Sequence, residues 1–207
     1  MQRRILVGLL AVSLLVGSAL VQRVTADDDT RQIIASESMD AVMWGQSTIG
    51  GPFRLVDHTG TPRTEADFRG KVLLVYFGFT HCPDICPTDL MAIAGALNEI
   101  GPKADQVQAL FITLDPQRDT QKLLATYVDS FHDQFIGLTG SEIDIRRAAH
   151  AYKVYFKKVP GKNDDDYAID HSAYIYLMDR DGKFAGVFPP STSPDRIAQV
   201  LKPMVGK

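Results

Sequence analysis

Cysteine is nearly missing from this chain. Cys82 and Cys86 are the only two in 207 residues, so any thiol chemistry falls on one pair, four positions apart. The N-terminal segment has no cysteine, which excludes a lipid-modified cysteine anchor there. Basic residues are few. The formal net charge is −3; removing residues 1–26 takes away Arg3, Arg4 and Arg23 but no acid, leaving 19 basic against 25 acidic residues, or −6. An acidic domain without a basic stripe argues against nucleic acid as a partner. Internal repeats and low-complexity segments are absent, which excludes a solenoid. Hydrophobic content of 45% and charged content of 23% are ordinary for a globular chain. The length suits one domain plus an extension.

The one long run without charge is Ile5 to Val21, 17 residues. Arg3 and Arg4 precede it, and Arg23 and Asp27-Asp28-Asp29 follow. A charged start before an apolar stretch reads as an export signal. At ~1.5 Å rise per residue it spans roughly 25 Å, slightly short of the ~30 Å hydrocarbon core. We read it as a retained membrane anchor with Arg3 and Arg4 on the cytoplasmic side. The alternative is cleavage after Val24-Thr25-Ala26. The chain then divides into a signal or anchor over 1–26, a polar tether over 27–47 and a folded domain over 48–207. Export to an oxidising compartment, a bacterial periplasm, means that working thiols there need a reductant or a metal.

Within the domain, Phe53 to Val56 reads as a strand running into the turn Asp57-His58-Thr59-Gly60. Lys71 to Phe79 and Val107 to Leu114 are apolar runs rich in β-branched and aromatic residues, the mark of buried strands. Between them, Leu90, Ile93, Ala94, Leu97 and Ile100 recur at helical spacing, with Pro87 at the expected helix start and Gly101-Pro102 at its end. Further helices are expected from about Asp119 to Ser130, from Ser141 to His150, and from Ser193 to about Val205. Tyr152 to Val159 reads as extended. Ala173 to Met178 and Phe184 to Phe188 flank Asp179-Arg180-Asp181-Gly182, a hairpin signal. Parallel strands joined by helices, then a hairpin and a closing helix, make an α/β, thioredoxin-like plan.

The two cysteines fall where that plan puts a redox or metal loop: Phe79-Thr80-His81-Cys82-Pro83-Asp84-Ile85-Cys86-Pro87, between a central strand and the next helix. If the loop winds one turn, both thiols face one way. N–H groups at a helix start favour thiolate over thiol. Two thiolates suit Cu(I), and an imidazole would complete a three-coordinate site that also accepts Cu(II). The same donors would bind Zn²⁺. His171, in Asp170-His171-Ser172 before the strand Ala173 to Met178, is the candidate imidazole, because that position lies against the dithiol loop in thioredoxin-like folds. The competing reading is a structural disulfide, but a four-residue separation closes only a tiny loop.

The loop 79–87 resembles the copper loop of the SCO/SenC family of cytochrome c oxidase assembly proteins. The segments Asp115-Pro116-Gln117-Arg118-Asp119-Thr120, Gly137 to Gly140, Ala151 to Tyr155 and Asp170-His171-Ser172 are similar to that family as well, so the likeness runs from about Gly51 to Leu201. Phe188-Pro189-Pro190-Ser191 is less typical and is expected to lie away from the loop. The resemblance implies a thioredoxin-like, membrane-anchored protein of the bacterial inner membrane, its domain facing the periplasm. It implies one copper ion bound by Cys82, Cys86 and His171, delivered to the binuclear copper site (Cu-A) of cytochrome c oxidase subunit II. Other periplasmic copper chaperones or thiol reductases are further expected partners. The protein is then a chaperone rather than an enzyme. The alternative is a thiol–disulfide oxidoreductase that reduces the cysteines of that site or of another exported protein, using a Cys82–Cys86 disulfide in its oxidised form. A peroxidase-like activity is a third, weaker reading.

Asp84 and Asp170 are candidates to orient His171 or tune the loop's charge, and either would also serve as a turn residue. His81 is expected to point away from Cys82 if the strand continues. His58, His132 and His150 read as surface or capping residues. Met39 and Met43 before Trp44 read as a small apolar face, with a weak thioether copper site as the alternative. Asn163 to Asp166 reads as a solvated charge run that would also suit a basic patch on a partner.

Overall fold

The computed structural model describes residues 49–161 and 166–206. The expected anchor or signal, the tether with Met39 and Met43, and residues 162–165 of the acidic loop lie outside the described residues. Among the described residues, no helix is long and apolar enough to cross a membrane.

The core is built around two strands, β3 (Val72–Gly78) and β4 (Val107–Thr113), in which every residue is buried. They pair in parallel along their whole length, from Val72 opposite Val107 to Gly78 opposite Thr113. Runs such as Val-Leu-Leu-Val-Tyr-Phe have no polar side because a parallel strand covered on both faces has no wet side. The crossover between them is α1 (Ile85–Ile100), whose buried face carries Cys86, Leu90, Ile93, Ala94, Leu97 and Ile100. A short 3-10 turn, Gly101–Gln106, ends it.

A second crossover, α2 (Gln121–Asp129), leads to β5 (Phe135–Thr139), parallel to β4. Thr120 caps α2 through its hydroxyl, which accepts from Leu123 N. Ser141 does the same for α3 (Glu142–Ala151), accepting from Asp144 N as its sequence pattern predicts. The edge beyond β5 is completed by β1 (Arg54–Asp57) and β2 (Pro62–Thr64), both antiparallel. The other edge is the predicted hairpin, β8 (Ile175–Met178) and β9 (Phe184–Phe188), with β8 antiparallel to β3. The seven-stranded order is β2-β1-β5-β4-β3-β8-β9. The last helix, α4 (Pro194–Leu201), packs against α1. Gly95 sits at that contact: a β-carbon there would lie 2.9 Å from Pro194 Cβ.

A separate two-stranded ribbon, β6 (Phe156–Pro160) with β7 (Tyr167–His171), stands outside the main sheet. It ends in His171, opposite Phe156. The segment expected to be extended, Tyr152 to Val159, contains β6 except its last residue, Pro160, while β7, β5 and β2 carry no strand signal in the sequence. The order β4-β3-β8-β9, with a helical crossover between the parallel pair and a hairpin closing the other side, is the thioredoxin-like arrangement expected from the sequence.

Candidate metal centre

Strand β3 delivers the chain to the site and α1 fixes its inner thiol. Helix α1 begins at Ile85, two residues before the predicted start, so Cys86 lies inside the first turn and Pro87 is its third residue. The reason is local. The first turn's N–H groups have no intrahelical acceptor, so a proline there forfeits no bond. Thr88 N closes the first turn onto Asp84 O at 3.2 Å. Cys86 is fully buried and Cys82, on the loop, is half-buried; both are free thiols. Gly78 makes the room: a β-carbon on it would stand 2.9 Å from Cys86 Sγ.

His171 comes to this pair from the far end of the chain. Its Nε2 lies 3.6 Å from Cys86 Sγ. Its Nδ1 lies 3.1 Å from Ser172 O. The imidazole is wedged edge-on between Tyr76 (ring centroids 6.4 Å apart) and Phe79 (6.0 Å). The sequence placed His171 directly before the strand of the hairpin; it instead ends β7, and residues 172–174 connect it to β8.

The two thiols are unequal. Cys82 is held far below the ordinary thiol range, at about 3. The hydrogen bond from Cys86 contributes most; His171 and the main-chain N–H groups of Asp84 and Cys86 add to it, against the opposing effect of burial. Cys86 is pushed up, first by donating to Cys82 and then by burial. The shared proton thus favours the inner sulfur, and the outer one is the more readily ionised of the two.

Beneath Cys86 lies a polar pocket that the sequence reading did not single out. Asp89 is fully buried one turn along α1, with Oδ1 accepting from Ser191 N at 2.8 Å. Its Oδ2 and the Tyr76 hydroxyl are buried without a well-formed hydrogen bond, beside the Cys86 sulfur. Burial pushes the Asp89 carboxyl up. The signal was an acid three residues after Cys86 on the apolar face of the helix. Ser191 also revises the place of the 188–191 segment. Expected to lie away from the loop, it touches the residue beneath the inner thiol, and Ser191 takes a left-handed φ of 61° to do so.

Asp84 and Asp170 are exposed. Asp84 serves the loop through its main chain, accepting from Thr88 N and from Thr88 Oγ1 at 2.9 Å. The imidazole of His81 turns toward Thr80 Oγ1, 3.1 Å away, and Asp119 Oδ1, 3.7 Å away. His58 accepts from Gly137 N and His132 from Gln134 N; His150 sits in the last turn of α3.

Two thiols and an imidazole are a soft, deprotonatable donor set. With metal–sulfur and metal–nitrogen bonds of about 2.3 and 2.0 Å, an angle of ~110–120° at a shared metal separates the two donors by about 3.6 Å. The Cys86–His171 contact has that separation. Among the described residues, no three His, Cys, Asp or Glu side chains are already drawn into a closed cage.

Fold and site together define a thioredoxin-like domain with a dithiol at a helix start and a histidine facing it. The chain belongs to the SCO1/SenC family, whose model matches residues 42–206. It is 43% identical over 160 residues to the human mitochondrial SCO2 homolog, an overlap of 76% of this chain and 60% of that protein. The chain thus spans about 60% of that relative's length. It resembles the structure of Bradyrhizobium japonicum ScoI with copper bound at 46% identity and a TM-score of 0.71, over 75% of this chain and 99% of that one. Yeast Sco1 with copper bound gives 38% identity and a TM-score of 0.68, over 75% and 90%.

Proposed function

We propose that this protein binds one copper ion as cargo through Cys82, Cys86 and His171, and delivers it during cytochrome c oxidase assembly to the binuclear site of subunit II. The observation that carries this reading is the 3.6 Å contact between Cys86 Sγ and His171 Nε2, with the half-buried thiol of Cys82 on the same loop. Copper-bound relatives at 46% and 38% identity support it. Loading draws the Cys82 thiolate in and releases the Cys86 proton. Two sulfurs favour Cu(I), and the imidazole extends the set to Cu(II). Delivery proceeds by ligand exchange, in which the acceptor's thiolates displace the half-exposed Cys82 first and the buried Cys86 last. The segment 1–26 would hold the domain at the periplasmic face of the inner membrane.

The thiol asymmetry favours a second reading, dithiol exchange. The Cys82 thiolate attacks a partner disulfide and expels one partner thiolate. Cys86, losing its proton, then attacks Cys82 and expels the other. Two electrons pass to the partner and a Cys82–Cys86 disulfide remains.

Native mass spectrometry of the reduced protein, titrated anaerobically with Cu(I) and Cu(II) against a competing chelator, separates the two. One copper retained by the wild type and lost from His171→Ala supports delivery. Equal retention by both, or none by either, moves the function to dithiol exchange.

A further inference from the structure

The two halves of the site are held by one turn that contains none of the three donors. Asp119, buried at the start of the second crossover, holds the arm before the dithiol through both carboxylate oxygens. Its Oδ2 accepts from Thr80 N at 3.0 Å and from Thr113 Oγ1 at 2.6 Å, and its Oδ1 accepts from Thr80 Oγ1 at 2.6 Å. Thr80 is two residues before Cys82, and the short loop between them is tightened by a 3.2 Å bond from Cys82 N to Phe79 O and by the Thr80 Oγ1–His81 Nδ1 contact at 3.1 Å. Four residues upstream, Asp115 reaches the other half. Its Oδ1 accepts from the Tyr167 hydroxyl at 2.7 Å and its Oδ2 from Arg118 Nε. Arg118 in turn donates to Tyr167 O at 3.0 Å and stacks 3.6 Å over the Tyr167 ring. Tyr167 opens β7, and His171 ends it. Because the β6–β7 ribbon is not part of the main sheet, these contacts replace the strand ladder that would otherwise hold it. The turn is itself rigid: Asp119 N bonds Asp115 O at 2.9 Å, and Asp115 N bonds Thr113 Oγ1 at 2.8 Å at the end of β4.

We propose that the turn Asp115–Asp119 is a positioning bracket: Asp119 sets Cys82 through Thr80, Asp115 and Arg118 set the His171 strand through Tyr167, and so one rigid element fixes the spacing between thiolate and imidazole. This inference rests on the copper-binding reading. It adds that affinity for the cargo is set by residues that never touch it. Partners that orient metal ligands are worth about 10–100-fold in affinity.

Removing Asp119 outright would leave the buried Thr113 and the half-buried Thr80 without their acceptor, so the test uses Thr80→Val and Tyr167→Phe, each of which deletes one hydroxyl and keeps the shape. Cu(I) affinity is measured by chelator competition. The Cu(II)–thiolate absorption band and the amide exchange of the metal-free protein are followed alongside. The expected result is about a tenfold or greater loss of affinity in each variant and a shifted band. The double variant should lose less than the product of the two, since a bracket opened at one end no longer sets a distance. In the metal-free protein each variant should speed exchange in both segments, 79–84 and 167–171. Unchanged affinity and band, multiplicative losses, or exchange confined to each variant's own segment would overturn the bracket. A wild type that retains no copper would overturn the copper reading instead, and amide exchange would then still decide the bracket.

Discussion

Gly78 shows how closely the inner thiol is packed. A β-carbon there would stand 2.9 Å from Cys86 Sγ and 3.0 Å from ring carbons of Phe111 and Tyr76. None of the three neighbours is a loose side-chain end: the thiol is fixed on α1 and both rings are buried between sheet and helix. Gly78→Ala should therefore cost about 1–3 kcal/mol of stability by overpacking and push the sulfur off its contact with His171. The combined readout is thermal unfolding and copper affinity; a variant that matches the wild type in both would show the space to be adaptable. The outer thiol has a different test. With Cys82 ionised from about 3 upward, and the thiolate the reactive form, alkylation of the metal-free protein should stay fast at pH 5. An ordinary cysteine, near 8.5, is almost wholly protonated there. Cys86→Ala and His171→Ala each remove a hydrogen bond that holds the charge, so in both the fall in alkylation rate should move to higher pH. A rate that follows an ordinary thiol's profile in the wild type would remove the asymmetry on which the exchange reading stands.

At the scale of elements, the turn after β1 carries a measurable acid dependence. Asp57 accepts from Thr59 Oγ1 at 2.6 Å, Thr59 N at 2.9 Å, Thr61 N at 3.0 Å and Arg63 Nε at 2.8 Å. Burial alone would push its carboxyl up; the Thr59 hydroxyl, the Arg63 guanidinium and the two N–H groups outweigh it and hold the group at about 2. A depressed carboxylate contributes stability that is fully present above its unfolded value of 3.8 and is lost as pH falls toward 2. The contribution is about 2 kcal/mol, reduced somewhat by the partial exposure of Arg63. Urea unfolding should show it vanish between pH 4 and 2, and Asp57→Asn should flatten that slope while lowering stability at pH 7. The turn was visible in Asp57-His58-Thr59-Gly60, as were β3 and β4, whose unbroken apolar runs admit only burial on both faces. The strands that escaped had no such mark. β5 is five residues with Gly137 at its centre, where a side chain would meet Leu124 and Val128 of α2. β7 alternates only weakly in polarity, as Tyr-Ala-Ile-Asp-His, and its ribbon covers one face alone: Ile169 is buried while Ala168 and Asp170 are exposed. Pro87 marks a helix start in the sequence, yet α1 begins two residues earlier, at Ile85, because proline forfeits no bond anywhere in a first turn. The cysteines and His171 were legible because their neighbours form distinctive motifs. Asp89, Ser191 and the Asp115–Tyr167 contacts were not, since each joins segments tens of residues apart that only the fold brings together.

For the whole molecule, the two fates of the dithiol tie the chain together at very different lengths. A disulfide joins residues four apart, so it constrains the unfolded chain little. A metal held by Cys86 and His171 joins positions 85 apart, linking the first crossover helix to the outlying ribbon across the sheet edge. Copper held by all three donors, as proposed, would favour the folded form, because the unfolded chain keeps only the two nearby thiols together; at a free concentration a hundredfold above Kd, mass action would add up to about 2.7 kcal/mol. For a domain of this size that is roughly 5–10 °C in Tm. Oxidation to the Cys82–Cys86 disulfide should raise Tm by less, and by a similar amount in wild type and His171→Ala, since the histidine takes no part in that link. Calorimetric scans of the reduced, oxidised and Cu(I)-loaded protein, in wild type and His171→Ala, give the ordering directly. A copper increment lost with His171 while the oxidation increment persists would mean that the histidine turns a short-range redox pair into a long-range clasp. A copper increment that survives in His171→Ala would put the metal on the two sulfurs alone, leaving the ribbon free and the imidazole with another task.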